Sequence, residues 1–357
     1  MKNNMKFDFD DILIVPAEIS EIKSRKQVNI FDSNGFLPIF TAPMDTVISD
    51  DNKHHFINNK IYTISNRLEK KIYSTNKYNW CSLGLKEYEN YYINNDIRDI
   101  SKCENNLYVL IDIANGHQQV LIDIIKKTKD KYGDVVKLMV GNIANPKTYK
   151  LLSDAGAWGI RIGIGGGSGC LTSVQVGVGM PLASLITETY KISCTLDSPA
   201  KIVADGGIRS YSDIIKALAL GSDMVMCGGI FNKALESCAD TYTQNVKHEW
   251  GTEPGELIDQ YSDTAKLMFK NGSKFFKKFR GMSTKEVQKS LGNEIVKTSE
   301  GITRMNQVEY TLDGWVENFK HYLSSAMSYC SCDSLNEFIG KVEFNLITQN
   351  SFNRYNK

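Results

Sequence analysis

No run of the sequence is long and apolar enough to span a bilayer, and the opening "MKNNMKFDFDD" has no signal-peptide core. A cytoplasmic protein is expected. Neither sign of charge is in excess: formal net charge is +1, with acids and bases interspersed. That pattern gives no field for a polyanion, so neither nucleic acid nor a membrane surface is expected as a partner. Zinc-ligand spacing is missing too. Cys330 and Cys332 are one residue apart without a matching Cys/His pair, and His54 and His55 stand without a cluster. Eight cysteines in 357 residues, with no signal peptide, do not make a disulfide framework, and reduced thiols are expected. Linkers and low-complexity blocks are also lacking, and 42% hydrophobic residues suffice for a substantial core.

What is present is an alternation. Short apolar runs end in Gly, Ser, Asn or Asp, and most precede a segment of helical periodicity. The runs are "LPIFTAPM", "IYTISN", "NWCSLGL", "LYVLIDIANG", "VVKLMVGN", "WGIRIGIGGG", "KIVADGG" and "DMVMCGG". Between them lie helix candidates such as "HQQVLIDIIKKTKDKYG" and "YSDIIKALALG", each ending in Gly. Near-continuous apolar strands alternating with helices imply a parallel sheet covered on both faces. The count favours a closed (β/α)8 TIM barrel over a doubly wound sheet. One domain over residues 1–357 is expected, with a polar excursion after strand eight (about 235–320) on the C-terminal face.

Loops that follow barrel strands converge on one mouth. The sixth would carry Gly163, Gly165, Gly166, Gly167, Ser168 and Cys170; the seventh Asp205, Gly206 and Gly207; the eighth Gly228 and Gly229. Glycines let backbone N–H groups approach an anion, and a carboxylate accepts hydrogen bonds from vicinal hydroxyls. Phosphate plus diol describes a nucleoside monophosphate, although glycine pairs also serve turns. Cys170 is then either a nucleophile at the rim of that site or an inert thiol. Thr172 either relays a proton or satisfies a turn.

In order along the chain, "FDFDDILIVP", "APMDTV", "DIANGH", "GIGGGSGCLT", "VADGGI", "MCGGIF" and "RGMST" resemble the signatures of the IMP dehydrogenase/GMP reductase family. The resemblance covers residues 7 to 340 and implies a (β/α)8 barrel, assembled as a homotetramer. The reductase branch is the nearer one. The connection after the second strand is too short for the CBS modules of dehydrogenases, and no Arg-Tyr pair lies between "GMST" and "SEG". The implied reaction is NADPH-dependent reductive deamination of GMP to IMP and ammonia, with Cys170 as nucleophile and Thr172 and Glu300 as the proton-handling pair. Ser168, Gly206, Gly207, Gly228 and Gly229 would hold phosphate, and Asp205 the ribose. Met282, Ser283, Lys297 and Ser299 would face the base. Asp112, Asn115 and Arg67 would face the cofactor. Carbonyls of Gly163, Gly165 and Cys170 would bind potassium. The alternatives are a reductase of another purine or deazapurine nucleotide, a dehydrogenase without CBS modules, and a non-catalytic nucleotide-binding barrel.

Several positions depart from the reductase pattern. Gly166 replaces a proline and Gly169 an apolar residue, so a looser cysteine loop is expected. Val296 stands for a tyrosine against the cofactor, and Lys297 for an arginine fork. Ser65-Asn66-Arg67 replaces a His-Lys pair, and Pro43 is dehydrogenase-like.

Overall fold

The computed structural model describes residues 5–95, 106–243, 246–248, 251–253, 255–292 and 301–355. Eight parallel strands form one sheet: β1 (Ile39–Thr41), β2 (Thr63–Ile64), β3 (Asn79–Leu83), β4 (Leu107–Asp112), β5 (Val136–Ile143), β6 (Gly159–Ile162), β7 (Lys201–Asp205) and β8 (Met224–Cys227). Neighbours run β1–β8–β7–β6–β5–β4–β3–β2. A parallel bridge between Phe40 and Tyr62 closes the ring, with Tyr62 N–H donating to Ile39 O at 3.0 Å and Thr41 N–H to Tyr62 O at 2.9 Å. The fold is a (β/α)8 barrel, and all eight apolar runs read from the sequence are its strands.

Strand parity explains why those runs are apolar without alternation. Leu110, Met139 and Val203 belong to the cluster that fills the barrel with Phe40, Trp80 and Met226. Their strand neighbours Val109, Ile111, Leu138, Val140, Ile202 and Ala204 pack outward against the helices. Both faces are therefore dry. The same parity sends Asp112, Arg161 and Asp205 inward at the C-terminal ends of β4, β6 and β7.

Seven helices complete the ring: α1 (Lys53–Asn58), α2 (Leu85–Tyr88), α3 (Gln119–Tyr132), α4 (Pro146–Asp154), α5 (Leu182–Ser193), α6 (Tyr211–Ala219) and α7 (Leu312–Tyr329). Helix α3 buries Leu121, Ile124, Ile125 and Thr128 and stops at Gly133, whose φ of 58° suits glycine. Helix α4 begins with Pro146 in its first turn, and the Asn145 side chain accepts Lys147 N–H at 2.9 Å. Among the described residues, no helix is long and apolar enough to cross a membrane.

The segment after β8 is more ordered than a polar excursion. Strands β9 (Thr241–Tyr242), β10 (Leu257–Ile258), β11 (Phe276–Arg280) and β12 (Thr303–Gln307) form an antiparallel sheet in the order β10–β9–β11–β12. Along "FKKFR" it is burial that alternates with the strand period, Lys277 and Phe279 pointing inward while their neighbours do not. Lys277 is wholly buried, and its ammonium donates to Ser237 O at 2.6 Å. Burial pushes its pKa down to about 7.

Candidate active site

At the C-terminal mouth of the barrel lies a cleft of about 270 Å³, lined by the loops after β1, β2, β4, β6, β7 and β8 and by Phe279, Gly281, Met282 and Ser283. Its glycines do distinct work. Gly163 has a φ of 131°, and a Cβ there would lie 2.0 Å from Asp205 O; only glycine lets the loop after β6 run against the end of β7. A Cβ on Gly229 would stand 2.9 Å from Ser168 Oγ, so the serine hydroxyl faces bare backbone across a narrow gap. Gly207 and Gly206 pack backbone to backbone against Gly166 and Gly167. The result is a wall of main chain and one hydroxyl, the surface an anionic group requires.

Cys170 sits on this wall, partly buried, and its thiol donates to Thr172 Oγ1 at 3.2 Å. Thr172 opens a single helical turn, Thr172–Gln175. The loop is pinned from above: Cys170 forms an antiparallel bridge with Gly301, and Ile302 N–H donates to Gly169 O at 3.2 Å. The looser loop expected from Gly166 and Gly169 needs correction at one of these positions. A Cβ on Gly169 would meet Gly281 Cα and the Phe279 ring, each at 3.1 Å, so the missing side chain is replaced by tertiary contact. Gly166 has ordinary space around it.

The same cleft holds an ionic network that the sequence reading missed. Arg161 Nη1 donates to Asp112 Oδ1 at 2.6 Å and Nη2 to Asp205 Oδ2 at 2.8 Å. Asn142 Nδ2 adds a bond to Asp205 Oδ2 at 2.7 Å. Among the described residues both side-chain bonds to Asp205 fall on Oδ2, so Oδ1 is the oxygen offered to a ligand hydroxyl. Burial alone would push the Arg161 guanidinium down, but Asp205 and Asp112 outweigh it and hold it above its ordinary value. A lone charge inside the apolar run "WGIRIGI" was the available signal, because a buried arginine demands acidic partners.

The cleft lining thus brings together Cys170, Thr172, Ser168, Gly163, Gly165, Asp205, Gly206, Gly207, Gly228, Gly229, Met282, Ser283, Asp112 and Arg67. It also includes Pro43, Asn142, Arg161, Phe279 and Gln288, and Gln288 Nε2 donates to Met282 O at 2.9 Å. Glu300, Lys297, Ser299 and Val296 lie outside the described residues.

Three expected ligand positions already engage protein partners. Arg67 lines the cleft, but its Nε and Nη2 go to Glu87, the closer at 3.1 Å. Burial opposes ionisation of Glu87, yet Arg67 and the Gly84 N–H hold its carboxyl below the usual value. Two of the carbonyls nominated for potassium each accept one side-chain donor: Gly163 O accepts Asn142 Nδ2 at 2.8 Å and Gly165 O accepts Ser173 Oγ at 2.9 Å. A carbonyl oxygen has a second lone pair, so these bonds do not decide the matter. Among the described residues no cluster of three or more His, Cys, Asp or Glu could hold a metal ion.

Asn115, expected at the cofactor, does not line the cleft. Its Oδ1 accepts His117 N–H at 3.1 Å and lies 2.9 Å from His117 Nδ1. His117 Nε2 accepts Ala144 N–H at 3.1 Å, so the proton belongs on Nδ1 and the ring must be neutral. It latches the loop after β4 to that after β5, and burial lowers its pKa from 6.5. The folded state therefore binds fewer protons than the unfolded state below that value, and the stability the latch contributes is lost as pH falls through the folded pKa. Urea midpoints of the protein and of a His117→Gln variant are expected to converge below pH 6.5; parallel curves would exclude the latch.

The family model for the IMP dehydrogenase / GMP reductase domain matches residues 98–355. The chain belongs to this family. Within the family, it is 31% identical over 309 residues to a protein named GMP reductase from Lactobacillus gasseri, covering 81% of this chain and 89% of the relative. A GMP reductase of Latilactobacillus sakei is 28% identical over 97% of this chain and 98% of its own length. An inosine-5'-monophosphate dehydrogenase of Chlorobaculum parvum is 34% identical over 67% of this chain and 45% of the relative.

Proposed function

We propose that the protein is a GMP reductase, converting GMP and NADPH to IMP, ammonia and NADP through a covalent adduct on Cys170. One observation carries the reading: a thiol bonded to a hydroxyl at 3.2 Å, on a main-chain anion wall, in a chain that matches GMP reductases over nearly its whole length.

The chemistry follows from these groups. The phosphate sits against Ser168, Gly206, Gly207, Gly228 and Gly229, and a ribose hydroxyl donates to Asp205 Oδ1. Cys170 Sγ then forms a bond to C2 of the purine. The C2–N bond to the exocyclic amino group breaks, and the thiol proton leaves with that group as ammonia. Thr172 Oγ1, already bonded to the thiol, is placed to pass that proton. Glu300 is its partner in this reading; Gly301, the next residue, is bridged to Cys170. A nicotinamide nucleotide held beside Asp112 would supply the hydride for C2, and Cys170 would leave as the thiolate when IMP forms. Asp112 fits a hydroxyl of that cofactor, since it faces the cleft as an acceptor held by Arg161. Met282, Ser283, Lys297 and Ser299 face the base. A single domain over residues 1–357, a homotetramer and a cytoplasmic location belong to the same reading.

Dehydrogenation of IMP is the second reading, favoured by the 34% identity to a dehydrogenase. That match covers less of both proteins, only residues 65–78 separate β2 from β3, and "GMSTKEVQKSLGNEIVKTSEG" holds no Arg and no Tyr. The test is NADPH oxidation with GMP, scored by IMP and ammonia, beside NAD reduction with IMP. Activity in the first assay is expected. Activity only in the second would establish the dehydrogenase, and tight nucleotide binding without turnover of any purine nucleotide would establish a binding barrel.

A further inference from the structure

Cys170 is held from above by a segment whose own anchor lies outside the cleft. Phe279 and Gly281 line the cleft and touch the position that a Gly169 side chain would fill. Gly281 N–H donates to Ile302 O at 3.0 Å, and Ile302 N–H to Gly169 O at 3.2 Å. Arg280, between Phe279 and Gly281, is absent from the cleft lining. It reaches the loop after β1, where Nε donates to Asp45 Oδ2 at 3.0 Å and Nη2 bonds the same oxygen. The side chains of Arg280 and Asp45 are only 17% and 10% exposed, so solvent screens this pair weakly. Nη1 meets Glu286 at 2.5 Å, and Glu286 also receives Lys278 Nζ at 3.3 Å. The Asp45 bond above all holds the guanidinium pKa above its ordinary value.

The two joined loops bear on the nucleotide from different sides. Asp45 follows Met44, whose Sδ lies 2.9 Å from where a Gly228 Cβ would be, beside the anion wall. Arg280 precedes Gly281 and Met282, above the thiol. An Asn232 amide makes a second tie, donating to Thr46 O at 2.9 Å and to Lys278 O at 3.1 Å. The Asn232 tie fixes the separation of the loops, whereas the planar two-bond fork of Arg280 on Asp45 also fixes the tilt of the 279–281 backbone.

We propose that Arg280, gripped by Asp45, is a positioning residue that sets the height and angle of the Cys170 loop against the purine, acting through Phe279 and Gly281 without touching the nucleotide. The proposal rests on the reading of Cys170 as nucleophile. A thiol displaced by about 1 Å loses on the order of 10²-fold in rate, while phosphate and ribose groups stay in place. Removal of the fork therefore lowers kcat and leaves KM for the nucleotide nearly unchanged.

The experiment compares Asp45→Asn, Arg280→Met and Arg280→Lys with the unmodified protein. It reads kcat, KM, thermal midpoint and the rate of Cys170 alkylation by iodoacetamide, located by peptide mass. Expected are a fall in kcat of about 10²-fold and several-fold faster alkylation in the first two. Arg280→Lys, which keeps the charge but not the fork, recovers part of both. A lower thermal midpoint with unchanged kcat and alkylation rate, or a raised KM at constant kcat, would overturn the proposal. Alkylation does not depend on which nucleotide is turned over. If GMP is not reduced, that readout alone still decides whether the fork holds the thiol loop, and an unchanged rate overturns it.

Discussion

A Cys170→Ala protein is expected to turn over GMP at least about 10⁴-fold more slowly than the unmodified protein, because in the proposed mechanism this thiol forms the bond to C2. Nucleotide binding should survive, since the anion wall and Asp205 do not involve the thiol. Titration with IMP, followed by the protection it gives against unfolding, separates the two effects. Turnover within tenfold of the unmodified rate would remove Cys170 from the mechanism. Loss of IMP binding together with turnover would show that the substitution had collapsed the loop after β6.

The second large effect is at Arg161. Its guanidinium lies between Asp112 and Asp205 at 2.6 and 2.8 Å and is almost wholly buried. Arg161→Met leaves two carboxylates facing each other in the barrel mouth without their cation. Breaking a buried pair by removing one partner costs about 3–5 kcal/mol, so the urea midpoint should fall steeply at neutral pH. Adding Asp112→Asn to that variant should restore part of the loss, because one uncompensated charge is then gone. Arg161→Lys should fall between the two, since one ammonium cannot fork to both acids. A loss below about 1 kcal/mol for Arg161→Met would mean that water replaces the guanidinium.

The barrel was legible in the sequence because parallel strands covered on both faces are written as unbroken apolar runs, and each run read that way is a strand. Closure was legible only through the count of eight units. In the structure it rests on the bridge between Phe40 and Tyr62, and no local pattern encodes a contact between the first and second strands. The sheet after β8 was missed because its strand Phe276–Arg280, "FKKFR", has no alternation of apolar and polar residues, and a buried lysine such as Lys277 looks like a solvent-facing residue until its depth is known.

In the site, the residues with local signals converged. Glycine pairs, Ser168, Cys170 and Asp205 follow consecutive strands, so strand order alone brings them to one mouth. Partnerships between distant side chains left no such trace. Asp112 was placed at a cofactor without its arginine, and Asn115 without the His117 that its Oδ1 engages. Gly169 reads as looseness in one dimension and as a close approach to Gly281 in three. Arg280 and Asp45 stood inside motifs already singled out, yet their pairing spans 235 residues.

The most direct measurement is the intact mass of the protein, acid-quenched after mixing with GMP alone and again during turnover with NADPH. A covalent adduct with the mass of GMP less ammonia, located on the peptide that carries Cys170, is predicted, with ammonia released in equal amount. Full NADPH-driven turnover with unmodified Cys170 at every quench time would contradict nucleophilic attack by this thiol.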